Sequence, residues 1–198
     1  MNMTGTQFAQ PRRLFALVLA AALGGFSVAN AAVTTYTCVL DGASEAPPNT
    51  SLGTGFSIVD IDPVAHTMRV RISFSGLTGT TTASHIHAAT AVAFAGTAGV
   101  ATTTPTFAGF PLGVTSGTYD NTHDMTLASS YNPSYITNNG GTTASAEAAL
   151  FAAIAAGKAY VNVHSTFVPG GEIRGFPILG GPTPSRSNSW GRIKSLYR

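Results

Sequence analysis

The chain has 198 residues, room for one domain with appendages, and only 9% of them are charged, with a formal net charge of +2. Arg12 and Arg13 lie near the N-terminus, and Arg186, Arg192, Lys194 and Arg198 lie after Pro182, so the body between them holds four bases against eight acids. That balance gives no ground for nucleic-acid binding, and a single cysteine, Cys38, excludes an intramolecular disulfide.

In chain order, Arg12 and Arg13 precede the apolar run Leu14–Phe26, and Ala29-Asn30-Ala31 is a small-x-small cleavage site. This is the pattern of a secretory signal peptide ending at Ala31. The run is shorter than the ~20 residues of a membrane span, and no later segment qualifies. The expected organisation is a signal peptide over residues 1–31, one domain over 32–181, and a disordered basic tail over 182–198. The expected product is exported, periplasmic or extracellular, with no membrane span in the mature chain.

Val33–Leu40 reads as a first strand, and Asp41–Thr50, with Pro47-Pro48-Asn49, as a loop. Gly55–Asp60 and Thr67–Phe74 read as a hairpin turning near Asp62-Pro63. In the second of these, Met68, Val70, Ile72 and Phe74 alternate with Arg69, Arg71 and Ser73, the mark of a half-buried antiparallel strand. Cys38 near the first strand reads as a small buried hydrophobe. Val114–Leu127 is expected to hold a strand pair turning at Asp120-Asn121. Ser130–Gly141 is expected to be loop and Ser145–Ala156 a helix, with Thr143 or Ser145 as its N-cap and Gly157 as its stop. His66 and His123 sit beside predicted turns and read as solvated. Short strands punctuated by turns, with one short helix, predict a mostly β protein, an antiparallel sandwich of the Ig-like or Greek-key type.

Two stretches carry chemistry. In Ser84-His85-Ile86-His87 both histidines share one strand face, because side chains alternate. In Ala159–Leu179, Tyr160, Asn162 and His164 share a face of one strand. Pro169-Gly170-Gly171 then supplies a turn into a return strand bearing Glu172 and Arg174. If the stretches meet, His85, His87 and His164 form a three-imidazole set suited to copper, zinc, nickel or iron. Asn162 then stands as an outer partner and Arg174 as a cation for a small anion. The same residues also fit a polar sheet face, with the histidines bonded to Ser84, Asn162 or backbone and Arg174 paired with Asp41 or Glu45. Hydrolase, nucleotide-binding and zinc-protease signatures (GxSxG, Walker loop, GxGxxG, HExxH) are missing from the sequence, so nothing in it demands an enzyme.

In these residues the chain resembles the CHRD domain, named from chordin and widespread in exported bacterial proteins. The resemblance is carried by Leu40-Asp41-Gly42 with Glu45-Ala46-Pro47-Pro48, Gly53-Thr54-Gly55-Phe56, Phe74-Ser75-Gly76-Leu77, Ala83–His87, Ala159–His164 and Gly170–Gly175. It implies an exported β-sandwich acting as a binding or structural module at the cell surface or in the matrix, with an unknown extracellular protein or matrix partner. A weaker similarity, to the copper half of the copper/zinc superoxide dismutases, implies copper on His85, His87 and His164 with Arg174 guiding superoxide. The zinc-ligand cluster, the bridging histidine and the disulfide of that family have no counterpart. The alternatives to a binding module are therefore a copper-dependent oxidoreductase and a self-assembling matrix or filament subunit, for which exposed strand edges are permissive.

Overall fold

A computed structural model describes Met1 and residues 33–180; the expected signal peptide and basic tail lie outside the described residues. The alternating hairpin is the centre of the fold. Strand β2 (Thr54–Asp62) and strand β3 (Thr67–Ser75) pair without a break from Thr54↔Ser75 to Asp62↔Thr67. Val59, Ile61, Met68, Val70, Ile72 and Phe74 all point to one buried face. The Asp62 carboxylate accepts from the backbone N–H groups of Val64 and Ala65 at 3.0 and 2.9 Å and so fixes the turn.

Strand β1 (Thr34–Asp41) lies on the other side of β2 and sends Tyr36, Cys38 and Leu40 into the same core. Burial pushes the Cys38 thiol up to about 12, against a backbone hydrogen bond from Ser57, so it behaves as a packed hydrophobe. Strand β4 (Thr81–Ala88) pairs with β6 (Ala159–Ser165), and β5 (Gly117–Asp124) with β3. The short strands β7 (Ile173–Gly175) and β8 (Ile178–Leu179) both pair with β1. The resulting eight-stranded sheet has the order β4-β6-β7-β1-β2-β3-β5, with β8 beside β1. Backbone bonds from Thr81 to Val114, from Gly113 to Thr81 and from Leu77 to Thr115 (2.8, 2.8 and 3.1 Å) draw the chain before β5 back to the start of β4. The sheet therefore curls around its own core as an antiparallel sandwich. Helix α2 (Thr143–Ala155) adds Ala146, Leu150, Ala153 and Ile154 to that core.

Three local expectations change. Residues 114–127 form one strand, not a pair, because Asp120 is used across the sheet: its carboxylate takes a fork of two 2.7 Å bonds from Arg69. The expected loop 130–141 contains a short helix, α1 (Pro133–Asn138), started by Asn132 accepting from the Ser134 N–H with Pro133 in its first turn. Six residues are too few to show a helical period in sequence. The N-cap of α2 is Thr142, one residue earlier than expected, in a reciprocal capping box with Ser145.

Two residues of the Gly170–Gly175 stretch hold the chain's loops. Gly175 crosses β1 so closely that a Cβ there would lie 2.0 Å from the Val39 carbonyl oxygen. Glu172 is wholly buried. Its carboxylate accepts from Ser51 Oγ (2.6 Å), the Thr78 and Gly79 N–H groups (2.5 and 3.2 Å) and Ser165 Oγ. Burial would raise its pKa, but these hydrogen bonds win and hold it below the ordinary glutamate range.

Replacing Glu172 with Ala strands four donors and is expected to cost on the order of 4 kcal/mol, read as a lowered denaturant midpoint at pH 7; an unchanged midpoint would contradict this role. Gly175→Ala, whose Cβ meets backbone rather than a mobile side chain, is expected to cost about 3 kcal/mol or more, or to abolish folding. Wild-type stability in that variant would show that β1 and β7 do not approach as described.

Candidate metal centre

The register of β4 on β6 decides what meets. His85 stands opposite Asn162, His87 opposite Tyr160, and Ala83 opposite His164, so His164 is diagonal to His85. Ile86, Val161 and Val163 between them are fully buried in the core, which turns His85, His87, Tyr160, Asn162 and His164 to the outer face. That face is covered: His85, His87 and His164 are all nine-tenths buried or more. The covering comes from the segments on either side, 89–106 after β4 and 166–171 after β6.

Those segments supply carbonyl groups, and the carbonyls set the histidine tautomers. His85 Nε2 bonds to Pro105 O, His87 Nδ1 to Ala98 O at 3.0 Å, and His164 Nδ1 to Pro169 O at 2.9 Å. A carbonyl only accepts, so each of these nitrogens carries the ring's hydrogen. The lone pairs left over belong to His85 Nδ1, His87 Nε2 and His164 Nε2. The ligand atoms of the three residues lie within 4.8 Å of one another, so the three histidines are close enough to hold a metal ion. His85 Nδ1 and His164 Nε2 approach to 3.3 Å, and His87 Nε2 is buried without a hydrogen-bond partner.

Neutral rings with these tautomers have no proton to place between His85 and His164. Burial lowers the pKa of all three histidines, against the opposing effect of the carbonyl bonds. His87 falls to about 4, with further contributions from His164, His85 and Arg174. The three rings, desolvated and held by backbone carbonyls, offer neutral imidazole donors of the kind that late transition ions accept.

The other expected site residues sit beside this set. Arg174, opposite Asn162 on β7, donates through Nε to Ser44 O and through Nη1 to Gly96 O at 2.9 Å. Its Nε lies 3.7 Å from Glu45 Oε2, and its guanidinium carbon 4.8 Å from the centroid of the Tyr160 ring. Asn162 makes no hydrogen bond to a histidine. Its amide packs against Gly171, where a Cβ would come within 2.5 Å of Asn162 and 2.7 Å of Glu45 Oε1, and where φ is +135°. Asn162 Oδ1 and Glu45 Oε1 are both buried without hydrogen-bond partners. Burial pushes Glu45 up to about 7, with Arg174 opposing.

The two remaining histidines are elsewhere. His66 reaches Glu147 on α2 at 2.9 Å from a half-exposed position. His123, expected to be solvated, is instead buried against the Phe107 ring with Nε2 3.2 Å from the Tyr119 hydroxyl, because β5 continues through it. It is not in the metal-competent group. Sequence reasoning also passed over Tyr160 as a site residue. Its ring stacks on His87 with centroids 4.7 Å apart and planes within 2°. The only signal was its position two residues from Asn162 on the same strand face.

No curated protein and no solved structure matches the chain. The family model of the CHRD domain matches residues 36–176, a span that begins within β1, runs through β7 and contains the whole histidine cluster. The chain belongs to the CHRD domain family.

Proposed function

We propose that the chain is exported by its N-terminal segment and works outside the cell as a non-enzymatic CHRD module that carries a transition-metal ion, copper, on His85, His87 and His164. The observation that carries this reading is the convergence of three imidazole lone pairs whose opposite ring nitrogens are each committed to a backbone carbonyl. Backbone carbonyls of this kind fix tautomer and raise ligand basicity in metal centres. Copper stands high in the order of divalent affinities and accepts imidazole in either oxidation state, which favours it among the ions this donor set suits.

A bound or structural ion is better supported than a turnover site. The superoxide-type alternative asks for a cation free to draw in a small anion, and the Arg174 guanidinium is engaged with two carbonyls and a carboxylate. When bound, the ion would supply Lewis acidity or one-electron chemistry. The chain's own residues supply three neutral donors and a wall of backbone around them.

The protein from residue 32 onward, purified without a histidine tag, is expected to take up about one equivalent of copper in Cu(I) and Cu(II) titrations, and His164→Ala to lose that uptake. Retention of full uptake by His164→Ala would remove the site. Binding no tighter than that of a histidine-poor control would leave the histidines with a structural role.

Acid should weaken the metal-free protein in a defined window. The unfolded chain protonates His87 near its ordinary value of 6.5, whereas the folded chain does so only near 4. The unfolded state therefore binds more protons between these values, and stability falls as pH drops from 6.5 to about 4, by on the order of 3 kcal/mol from this residue. Urea midpoints at pH 7, 5.5 and 4.5 are expected to fall more steeply for the wild type than for His87→Gln. Parallel slopes would show that His87 is not held neutral.

A further inference from the structure

We propose that Tyr160 and Arg174 are positioning residues for the metal centre: guanidinium on phenol ring on imidazole, a stacked column that fixes the plane and the tautomer of His87. The proposal rests on the three-histidine reading of the site, and it answers a question which that reading raises. His85 and His164 face each other at 3.3 Å and constrain one another. His87 makes no hydrogen bond on its lone-pair side, where Nε2 is buried. Such an atom costs free energy and has no hydrogen bond to hold it in place, and a half-turn of the ring about its last torsion would put carbon atoms where Nδ1 and Nε2 now stand. The ring's orientation therefore has to be imposed from its other sides.

Three observations show what imposes it. His87 and Tyr160 are direct cross-strand partners, and their rings are stacked, parallel within 2° with centroids 4.7 Å apart. Both rings are also tied to the same residue. Ala98 O accepts from His87 Nδ1 at 3.0 Å and from the Tyr160 hydroxyl at 3.3 Å, while the Ala98 N–H donates to that hydroxyl at 3.3 Å. Turning His87 breaks its bond to a carbonyl that Tyr160 holds in place.

Arg174 acts on this pair twice. Its guanidinium lies 4.8 Å from the Tyr160 ring centroid and 5.5 Å from that of Phe176, positions that favour cation–π attraction. Its Nη1 also bonds Gly96 O, two residues before Ala98, so the same side chain steadies the segment that carries the shared carbonyl. Arg174 thus reaches the metal centre at one remove, through a ring and a loop, without touching the ligand nitrogens.

The test is the tautomer of each histidine in the metal-free protein, read by two-bond proton–nitrogen NMR correlations, together with metal affinity by competition titration. In the wild type all three rings are expected to show the tautomers assigned above, His87 as Nδ1–H. Tyr160→Leu is expected to mix the two tautomers of His87, leave those of His85 and His164 unchanged, and weaken metal binding by about tenfold to a hundredfold, the range for lost outer-sphere partners. Tyr160→Phe, which keeps the stack and loses the hydroxyl, and Arg174→Lys, which keeps the charge and loses the planar fork, are expected to show the same selective change to a smaller degree. If Tyr160→Leu fails to fold, these two variants decide. A His87 that stays Nδ1–H with undiminished affinity overturns the proposal, and so does a loss of order at all three histidines together, which would mean general loosening. A wild type that binds no metal would sink the metal reading, while the His87 tautomer in the variants would still decide the column.

Discussion

Two buried charges, Arg174 on β7 and Glu172 just before it, hold the outer face of this sheet closed. Glu172 and Arg174 are separated by Ile173, whose side chain enters the core, so both charges project to the side away from it. An ion removed from water costs several kcal/mol unless its hydrogen-bonding capacity is met. Glu172 meets it with donors from three separate parts of the chain: Ser51 before β2, Thr78 and Gly79 before β4, and Ser165 at the end of β6. Arg174 meets it with Ser44 and Gly96 carbonyls from two further loops, with Glu45 alongside. No one of these loops can lift away without leaving a charge uncompensated. The three histidines owe their burial to that closure, since β4 and β6 by themselves would show them to solvent.

The closure also shapes the chemistry beneath it. A solvated histidine pair takes a proton readily, but burial here suppresses imidazolium at every ring, and the carbonyls hold each ring in one tautomer. The centre has no carboxylate among its convergent ligand atoms. Glu45, beside Arg174 and Gly171, is raised to about 7 by the same burial.

Much of the fold was legible because its signals are local. Alternation in Thr67–Ser75, turn residues at Asp62-Pro63 and the alanine-rich run before Gly157 each specify an element without reference to the rest of the chain. The pairing faces in Ser84–His87 and Tyr160–His164 were legible for the same reason, and the antiparallel register of β4 on β6 then brings the three histidines together. What was not legible depends on partners far away in sequence. The turn-prone Asp120-Asn121 runs straight because Arg69, 51 residues earlier, takes the Asp120 carboxylate. Arg174 carries the same fork in sequence whether it faces an anion or two carbonyls, and only the loops around Ser44 and Gly96 decide. Residues 89–106 have no period at all, yet Ala98 and Pro105 supply two of the three carbonyls that orient the histidines. Backbone oxygens leave no trace in residue type.

This last point changes what the family resemblance means. Of the residues that carry the resemblance to the CHRD domain, Leu40, Phe74, Leu77, Ile86, Val161, Val163 and Ile173 fill the core, whereas Glu45, His85, His87, Tyr160, Asn162, His164, Gly171, Glu172 and Arg174 lie on the covered outer face or hold its cover. Farther along the same face, Arg69 and Asp120 are paired in solvent, and neither belongs to that set. A domain selected only for a stable sandwich has no need of buried charges there, because apolar residues of similar size would close the face at lower cost. Buried ionic and imidazole groups are economical where something inside must be held in one orientation. The motif residues are therefore best understood as one device: Glu172 and Arg174 fasten the loops, the loops present carbonyls, and the carbonyls aim the histidines.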